Sequence, residues 1–130
     1  MIRTERLMRF DWVYNAERRA REQVVCINSI RVMTTSREKY VNIRDIEPIR
    51  INAEILTDND FKLTDNGYIW GNVCVSSVVD SRWHNDGWDV RVDAYNARVF
   101  VHIDFIHELQ HVLRLIDCEQ KANDFKVKQI

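Results

Sequence analysis

The stretch WDVRVDAYNARVFVHIDFIHELQHVLRLID, residues 88–117, contains the clearest structural signal in the sequence. Apolar and polar residues alternate over 88–94 and again over 97–104, which is the period-two pattern of half-buried strands. Over 105–117 the apolar residues recur instead at the three- and four-residue spacing of an amphipathic helix. The stretch therefore predicts two antiparallel strands, joined by a tight turn at Asn96, and a helix that follows them.

Each of these elements is predicted to bury one face. In the strands, the inward-facing residues are expected to be Trp88, Val90, Val92, Ala94, Val99, Val101 and Ile103. In the helix, they are expected to be Phe105, Ile106, Leu109, Val112, Leu113 and Ile116. At about 100° per residue the helix set falls within one arc of about 120°, so we expect this arc to lie on the strands.

Working outward from this stretch, residues 68–79 predict a preceding long strand, irregular at Gly71, which completes a three-stranded meander. Further upstream, short strands are predicted over 10–15, 24–33 and 40–43. A short helix is predicted after Pro48, with Asn52 as its N-cap. The predicted fold class is α+β: short N-terminal strands and a short helix, then a three-stranded antiparallel meander packed by one amphipathic C-terminal helix.

The size and charge of the chain restrict the classes of function. With 130 residues, it is expected to form one domain, 1–130. Nineteen Lys and Arg against twenty Asp and Glu leave a net charge of −1, so general electrostatics favour neither duplex nucleic acid nor an anionic membrane surface as a partner. Fourteen of the basic residues are arginines, so a local anion-binding site stays open.

Neither the apolar residues nor the N-terminus indicates a membrane-bound or secreted protein. No apolar run approaches the roughly 20 residues that span a bilayer. Residues 1–6 contain no signal-peptide core, so we expect a cytoplasmic location. The three cysteines, Cys26, Cys74 and Cys118, form no CxxC pair and are expected to be reduced thiols.

The helix contains a literal HExxH motif, His107-Glu108-Leu109-Gln110-His111. Histidines at i and i+4 share a helix face and can chelate zinc, while the glutamate polarises the bound water. Asp117 lies six residues after His111, where the extended zinc-peptidase motif has its third ligand. One hypothesis is therefore a small zinc peptidase with Glu108 as general base.

Other features disagree with a peptidase. Arg114 stands where the extended motif has a glycine, and no methionine follows the helix. Only nineteen residues follow His111, too few for the far wall of a substrate cleft. His107 and His111 lie nearly opposite the middle of the apolar arc, facing a cleft or water. We therefore expect a protein that is not an enzyme and has no cofactor, with zinc restricted to the peptidase alternative.

Five short motifs occur in order along most of the chain: DWVY at 11–14, DIEPI at 45–49, EIL at 54–56, NDF at 59–61 and IHELQHVL at 106–113. Together they resemble a family of small uncharacterised proteins from gut Bacteroidales phages, prophages and mobile elements. In that family the late motif often reads HQLQN, so the resemblance implies that 107–111 is part of a structural helix. It also implies a phage accessory protein in the cytoplasm of an infected bacterium. The chain departs from the family at 50–52 and at Asp60, and neither departure involves catalysis.

The loop 81–88, SRWHNDGW, is richer in aromatic and polar side chains than a turn requires. Trp83 is suited to stacking on a base, and Arg82 to binding a phosphate with two hydrogen bonds. We therefore predict a ligand site formed by Arg82, Trp83, His84, Asn85 and, on the preceding strand, Trp70. The alternative for Trp83 is packing over the meander.

Three functions follow from these observations. The first is a non-enzymatic phage accessory protein that counters host defence by sequestering a small nucleotide-derived signal. The second is a protein-interaction module of phage or mobile-element origin, in which the 81–88 loop and the charged segment 16–22 contact another protein. The third is the zinc peptidase. A homo-oligomer is compatible with the first, and the sequence specifies no symmetry.

Overall fold

A computed structural model of the chain describes residues 2–36, 39–77, 87–94 and 97–129. Within these ranges it contains ten strands and three α-helices, which confirms the predicted α+β class. No helix in the described part of the chain is long and apolar enough to cross a membrane.

The strands are β1 (Trp12–Asn15), β2 (Ala20–Asn28), β3 (Arg31–Thr34), β4 (Val41–Asn42), β5 (Ile46–Glu47), β6 (Lys62–Thr64), β7 (Gly67–Trp70), β8 (Val73–Ser77), β9 (Trp88–Ala94) and β10 (Ala97–Ile103). The α-helices are α1 (Ala53–Asp58), α2 (Ile106–Leu115) and α3 (Glu119–Asn123). Two short 3₁₀ helices span Thr4–Arg6 and Ile43–Asp45.

The chain divides into two compact units. Unit 1 combines residues 1–50 with residues 105–130, and unit 2 consists of residues 51–104. A compact set of contacts is not by itself an independent folding domain, so the expectation of one domain stays a prediction.

Unit 1 contains an antiparallel sheet of five strands in the order β4-β3-β2-β1-β5. Residues 24–33, predicted as one strand, belong instead to a hairpin of β2 and β3, because Ser29 has a φ of 56° and turns the chain. The core of the sheet is mainly β-branched, as strands prefer. It consists of Ile2, Leu7, Val13, Val24, Val32, Val41, Ile43 and Ile46.

Helix α2 belongs to unit 1, where it packs against β1. The prediction that it lies on the meander is not confirmed, because the meander forms unit 2. The predicted apolar stripe is buried at Ile106, Leu109, Val112 and Leu113. The buried surface is wider than the stripe, however, since it also includes two polar residues, His107 and Gln110.

Gln110 connects three elements of unit 1 and is fully buried. Its Oε1 accepts a hydrogen bond from the backbone N–H of Trp12 at 2.9 Å. Its Nε2 donates to the carbonyl oxygens of Phe10 and Ala122, each at 2.9 Å. Because buried backbone groups must find partners, this amide in the middle of α2 bonds backbone groups at the start of β1 and in the last turn of α3.

Unit 2 contains an antiparallel meander of five strands, in the order β10-β9-β8-β7-β6, where the sequence predicted three. Residues 68–79 were expected to form one strand, but the chain turns at Gly71, φ 59°, and β7 pairs with β8 as a hairpin. Strand β6 joins β7 through Asn66-Gly67. Gly67 has a φ of 127°, and a Cβ there would lie 2.9 Å from the carbonyl oxygen of Val75.

The alternation of apolar and polar residues correctly predicts which side chains are buried in β9 but only partly in β10. Val90 and Val92 are buried, as expected, but Val99 and Val101 are 46% and 37% exposed. All four lie on one face of the sheet, according to the strand register. Strand β10 is the edge of the sheet, so its side chains have neighbouring strands on one side only, and Phe100 on the opposite face is 66% exposed.

The short helix α1 begins as predicted. Asn52 is its N-cap, and the side-chain Oδ1 accepts a hydrogen bond from the backbone N–H of Ile55 at 2.9 Å. Phe61, three residues after the helix, is 2% exposed and belongs to the core of unit 2.

Replacing Gln110 by alanine is expected to lower the free energy of unfolding by about 2 kcal/mol or more, since it removes the partner of the Trp12 backbone N–H. The carbonyl oxygens of Phe10 and Ala122 each lose one hydrogen bond but keep another, from Gln23 and from the Phe125 N–H. The matched control is Gln120→Ala: Gln120 is exposed and bonds Asp124 four residues further on, so its loss should cost about 0.5 kcal/mol or less. Urea unfolding followed by circular dichroism measures both. Equal costs would contradict the role given to Gln110.

Candidate ligand-binding cleft

The HExxH segment lies on α2, and its two histidines have different surroundings. His107 is only 6% exposed, whereas the side chain of His111 is 27% exposed. The expectation that both face a cleft or water holds for His107 as a residue that lines a cleft, although most of the His107 ring is shielded from water. That ring stacks on Phe105, with centroids 5.9 Å apart and planes 8° apart, and its other neighbour is the edge of His111 at 5.7 Å.

His111 is held by a fully buried carboxylate, that of Asp11 in the turn before β1. The Asp11 Oδ2 atom lies 2.7 Å from His111 Nε2 and accepts a hydrogen bond from the Met8 backbone N–H at 2.7 Å. Its Oδ1 accepts from Arg114 Nη1 at 2.6 Å. A carboxylate beside an arginine is an acceptor, so His111 Nε2 donates. This cluster of Asp11, His111 and Arg114 ties α2 to the N-terminal segment.

The surroundings of His107 favour the neutral form of its ring. Burial lowers its pKa, because the charged imidazolium loses its hydration. The carboxylates of Asp11 and Glu108 act in the opposite direction on this pKa, and His111 lowers it further. The Nδ1 atom of His107 is buried and has no hydrogen-bond partner among the described residues.

The geometry of the motif does not favour zinc. Glu108, the expected base, uses Oε1 to accept a hydrogen bond from the Phe105 backbone N–H at 3.0 Å, which caps the helix. Asp117, the expected third ligand, lies beyond the end of α2 with a φ of 63°. Across the described ranges, no three His, Cys, Asp or Glu side chains are grouped to hold a metal ion. The zinc peptidase therefore stays a hypothesis without support from this geometry.

A cleft of about 410 Å³ lies beside the N-terminus of α2, wholly within unit 1. Its size falls within the roughly 300–1,000 Å³ of sites that bind small molecules. The residues that line it are Ile2, Arg3, Arg6, Pro48, Phe105, His107 and Glu108. Arg6 belongs to the 3₁₀ helix Thr4–Arg6 and Arg3 is its N-cap, while the first turn of α2 contributes His107 and Glu108 to the lining.

The charge in this cleft is mainly positive. Arg3 and Arg6 are both exposed, and an ion pair of Arg3 with Glu5, at 4.0 Å, joins two exposed side chains and is therefore weak. The positive end of the α2 dipole adds to their field. Arg50 extends the cationic region, because its guanidinium lies 5.7 Å from the centre of the Phe105 ring. Glu108 opposes this field in part.

The ligand site predicted from sequence falls mostly outside the structural description. Arg82, Trp83, His84 and Asn85 lie outside the described residues, so their arrangement as a site stays a prediction. Trp70 is described: it is half-buried at the end of β7, and its ring lies 6.3 Å from that of the core residue Phe61. This contact is typical of packing.

Sequence reasoning missed the cleft because its residues are far apart in the chain. In the sequence, Arg3 and Arg6 belong to the N-terminal residues 1–6 and Pro48 to the DIEPI motif at 45–49, and no local pattern connects these two segments. The available signal was the excess of arginine over lysine, which indicated an anion site without giving its position.

Acidification is expected to destabilise the protein through His107. Since folding lowers its pKa, the unfolded chain binds more protons below the ordinary histidine pKa of about 6.5, so the stability due to neutral His107 is present above that pH and lost as pH falls. Replacing His107 by phenylalanine should reduce the slope of unfolding free energy against pH, by at most about 1.4 kcal/mol per unit. Urea titrations between about pH 5 and 7.5 measure it. An unchanged slope would mean that His107 is not buried in its neutral form.

Comparison of the chain with protein-family models, with curated proteins and with solved structures found no match. The resemblance to phage proteins stays a prediction, and the chemistry of the cleft is the basis for assigning a function.

Proposed function

We propose that this protein binds a small anionic, nucleotide-like ligand in the cleft beside α2 and sequesters it. The observation that carries the proposal is the meeting of two exposed arginines with an aromatic and apolar wall in one cleft of about 410 Å³. Positive charge at one end and apolar surface at the other match the two ends of a nucleotide.

The arginines are the anchor for the anionic group. A guanidinium presents its N–H donors in a planar fork that fits two phosphate oxygens, and such charge-assisted bonds contribute about 1.5–3 kcal/mol each. Arg6 is the stronger anchor, because Arg3 must first separate from Glu5. The small cost of separating two exposed charges leaves Arg3 able to contribute as well.

The opposite wall fits a planar, partly apolar group. Ile2 and Pro48 present aliphatic surface, and Phe105 presents a half-buried ring. Burying apolar ligand surface there contributes roughly 25 cal/mol per Å². The Phe105 ring is already held by His107 on one side, so this wall is preorganised and loses little entropy when a ligand binds.

The proposal assigns no catalytic step. In the HExxH segment, His111 is bonded to Asp11 and Glu108 caps the helix, so both side chains serve the fold. Because these bonds occupy His111 and Glu108, they favour a protein that binds its ligand over one that catalyses a reaction on it. The phage resemblance makes the sequestered compound a host defence signal, held in the cytoplasm of an infected cell. A protein-interaction module using residues 81–88 and 16–22 stays the alternative.

Calorimetric titration tests the proposal, with cyclic nucleotides, ADP-ribose derivatives and their unphosphorylated nucleosides as probes. A phosphate-bearing member of this panel should bind and its nucleoside should not. Arg6→Ala should raise the dissociation constant roughly ten- to a hundredfold, the equivalent of one charge-assisted bond. The control Arg44→Ala removes an exposed arginine of unit 1 that is not among the residues that line the cleft and should leave binding unchanged.

The titrations with the variants distinguish the cleft beside α2 from the loop 81–88 as the ligand site. If no phosphate-bearing probe binds the unmodified protein, the proposal is wrong. If Trp83→Ala abolishes binding and Arg6→Ala does not, the ligand site is the loop predicted from sequence and not this cleft.

A further inference from the structure

His107 lines the cleft beside α2, and its imidazole has no hydrogen-bonding role in the fold. The residue is 6% exposed, and its Nδ1 atom is buried without a hydrogen-bond partner. No hydrogen bond joins the ring to any other residue that the structure describes. Buried polar side-chain atoms in native proteins mostly have such partners, so this exception requires an explanation.

The packing around His107 needs a flat ring but not an imidazole. The ring stacks on Phe105 with the two planes 8° apart, and the ring of His111 stands at 77° to it. A phenylalanine ring could make the same contacts and would leave no polar atom unpaired. Such apolar replacements are often neutral or stabilising. The nitrogens of His107 therefore point to a role outside folding.

The same packing determines which nitrogen is available. His111 is itself bonded to Asp11 at 2.7 Å, so the His107 ring lies between two held side chains and is preorganised. Its surroundings favour the neutral form, which carries one proton. On Nδ1 that proton would be a buried donor without an acceptor, which proteins avoid, so we place it on Nε2. The Nε2–H group is then the donor that His107 brings to the cleft.

A donor beside Phe105 restricts the planar part of the ligand, because the proposed function places that part against the Phe105 ring. Nucleobases have ring nitrogens and carbonyl oxygens at their edges, and these atoms accept hydrogen bonds. A hydrocarbon ring of similar size has no such atom. A site that presents a donor discriminates against a ring that leaves the donor unpaired.

We propose that His107 is the residue by which the cleft selects a nucleobase over a hydrocarbon ring, through a hydrogen bond from Nε2–H to an acceptor at the edge of the base. This role rests on the proposed function and deepens it, since Arg6 anchors the phosphate and His107 recognises the base. The two residues make separable contributions. Arg6 gives affinity for any phosphate ester, and His107 gives preference among the planar groups that the ester bears.

Calorimetric titrations at about pH 7.5, where an ordinary histidine is neutral, test the role. They compare phenyl phosphate with the phosphate-bearing nucleotide that binds tightest, and the preference is the ratio of the two dissociation constants. His107→Phe keeps a ring on Phe105 and removes the donor. It should reduce the preference roughly five- to fiftyfold, the loss expected for one hydrogen bond. The affinity for phenyl phosphate should stay unchanged, and the melting temperature should stay equal or rise.

Two further variants serve as controls. His102→Phe makes the same substitution on β10 in unit 2 and should leave both affinities unchanged. Arg6→Ala removes the phosphate anchor, so it should weaken both probes by the same factor and leave the preference unchanged.

The outcomes separate this role from the proposed function. If no phosphate-bearing probe binds the unmodified protein, the proposed function is wrong and the role of His107 falls with it. If a nucleotide binds and His107→Phe keeps the full preference over phenyl phosphate, only the role of His107 is overturned. A His107→Phe protein that melts at a lower temperature and binds both probes more weakly by the same factor also overturns the role, because His107 then acts through the fold.

Discussion

The buried carboxylate of Asp11 is the constraint on which unit 1 depends. A charge removed from water must be compensated nearby, and removing one partner of a buried ion pair typically costs about 3–5 kcal/mol. The Asp11 carboxylate is compensated by hydrogen bonds from Arg114, His111 and the Met8 backbone N–H. Because two of these partners lie one turn apart on α2, the carboxylate determines both the rotation of that helix and its position along the N-terminal segment. The second histidine of the HExxH motif therefore has a structural explanation.

The cleft is a consequence of that placement. Once α2 is held by Asp11, its first turn brings Phe105 and His107 beside the 3₁₀ helix that carries Arg6. His107 is buried in this cleft, whereas Arg3 and Arg6 are exposed. The cleft therefore has one part shielded from water and another part open to it. Under the proposed function, the charged groups of a ligand would stay near water, while its planar group would be buried. This division is what a binding site for amphiphilic anions requires.

Local patterns in the sequence predicted the features that depend on neighbouring residues in the chain, namely helix caps, the apolar face of a helix and single strands. The Asn52 cap, the apolar stripe of α2 and the strands at 12–15 and 88–94 all follow from short-range periodicity and capping. The partner of α2 could not be predicted, since an apolar stripe does not specify which sheet covers it. Nor could the burial of Gln110, whose amide bonds the Phe10 carbonyl oxygen 100 residues away and the Trp12 N–H 98 residues away. The burial of His107 was equally hidden, because its ring stacks on Phe105 instead of facing water. The exposure of Val99 arises from an edge position that strand alternation does not encode.

The chain enters and leaves unit 2 at two neighbouring points, Ile51 and Asp104. The Ile51 N–H donates to the carbonyl oxygen of Asp104 at 3.2 Å, and Arg50 and Phe105 form an antiparallel bridge in unit 1. In polymer terms, residues 51–104 form a loop whose two ends are held together by the pairing of Arg50 with Phe105. The entropy of closing such a loop changes only slowly with its length, so a shorter or longer sequence between the same paired ends would cost unit 1 little more in closure entropy.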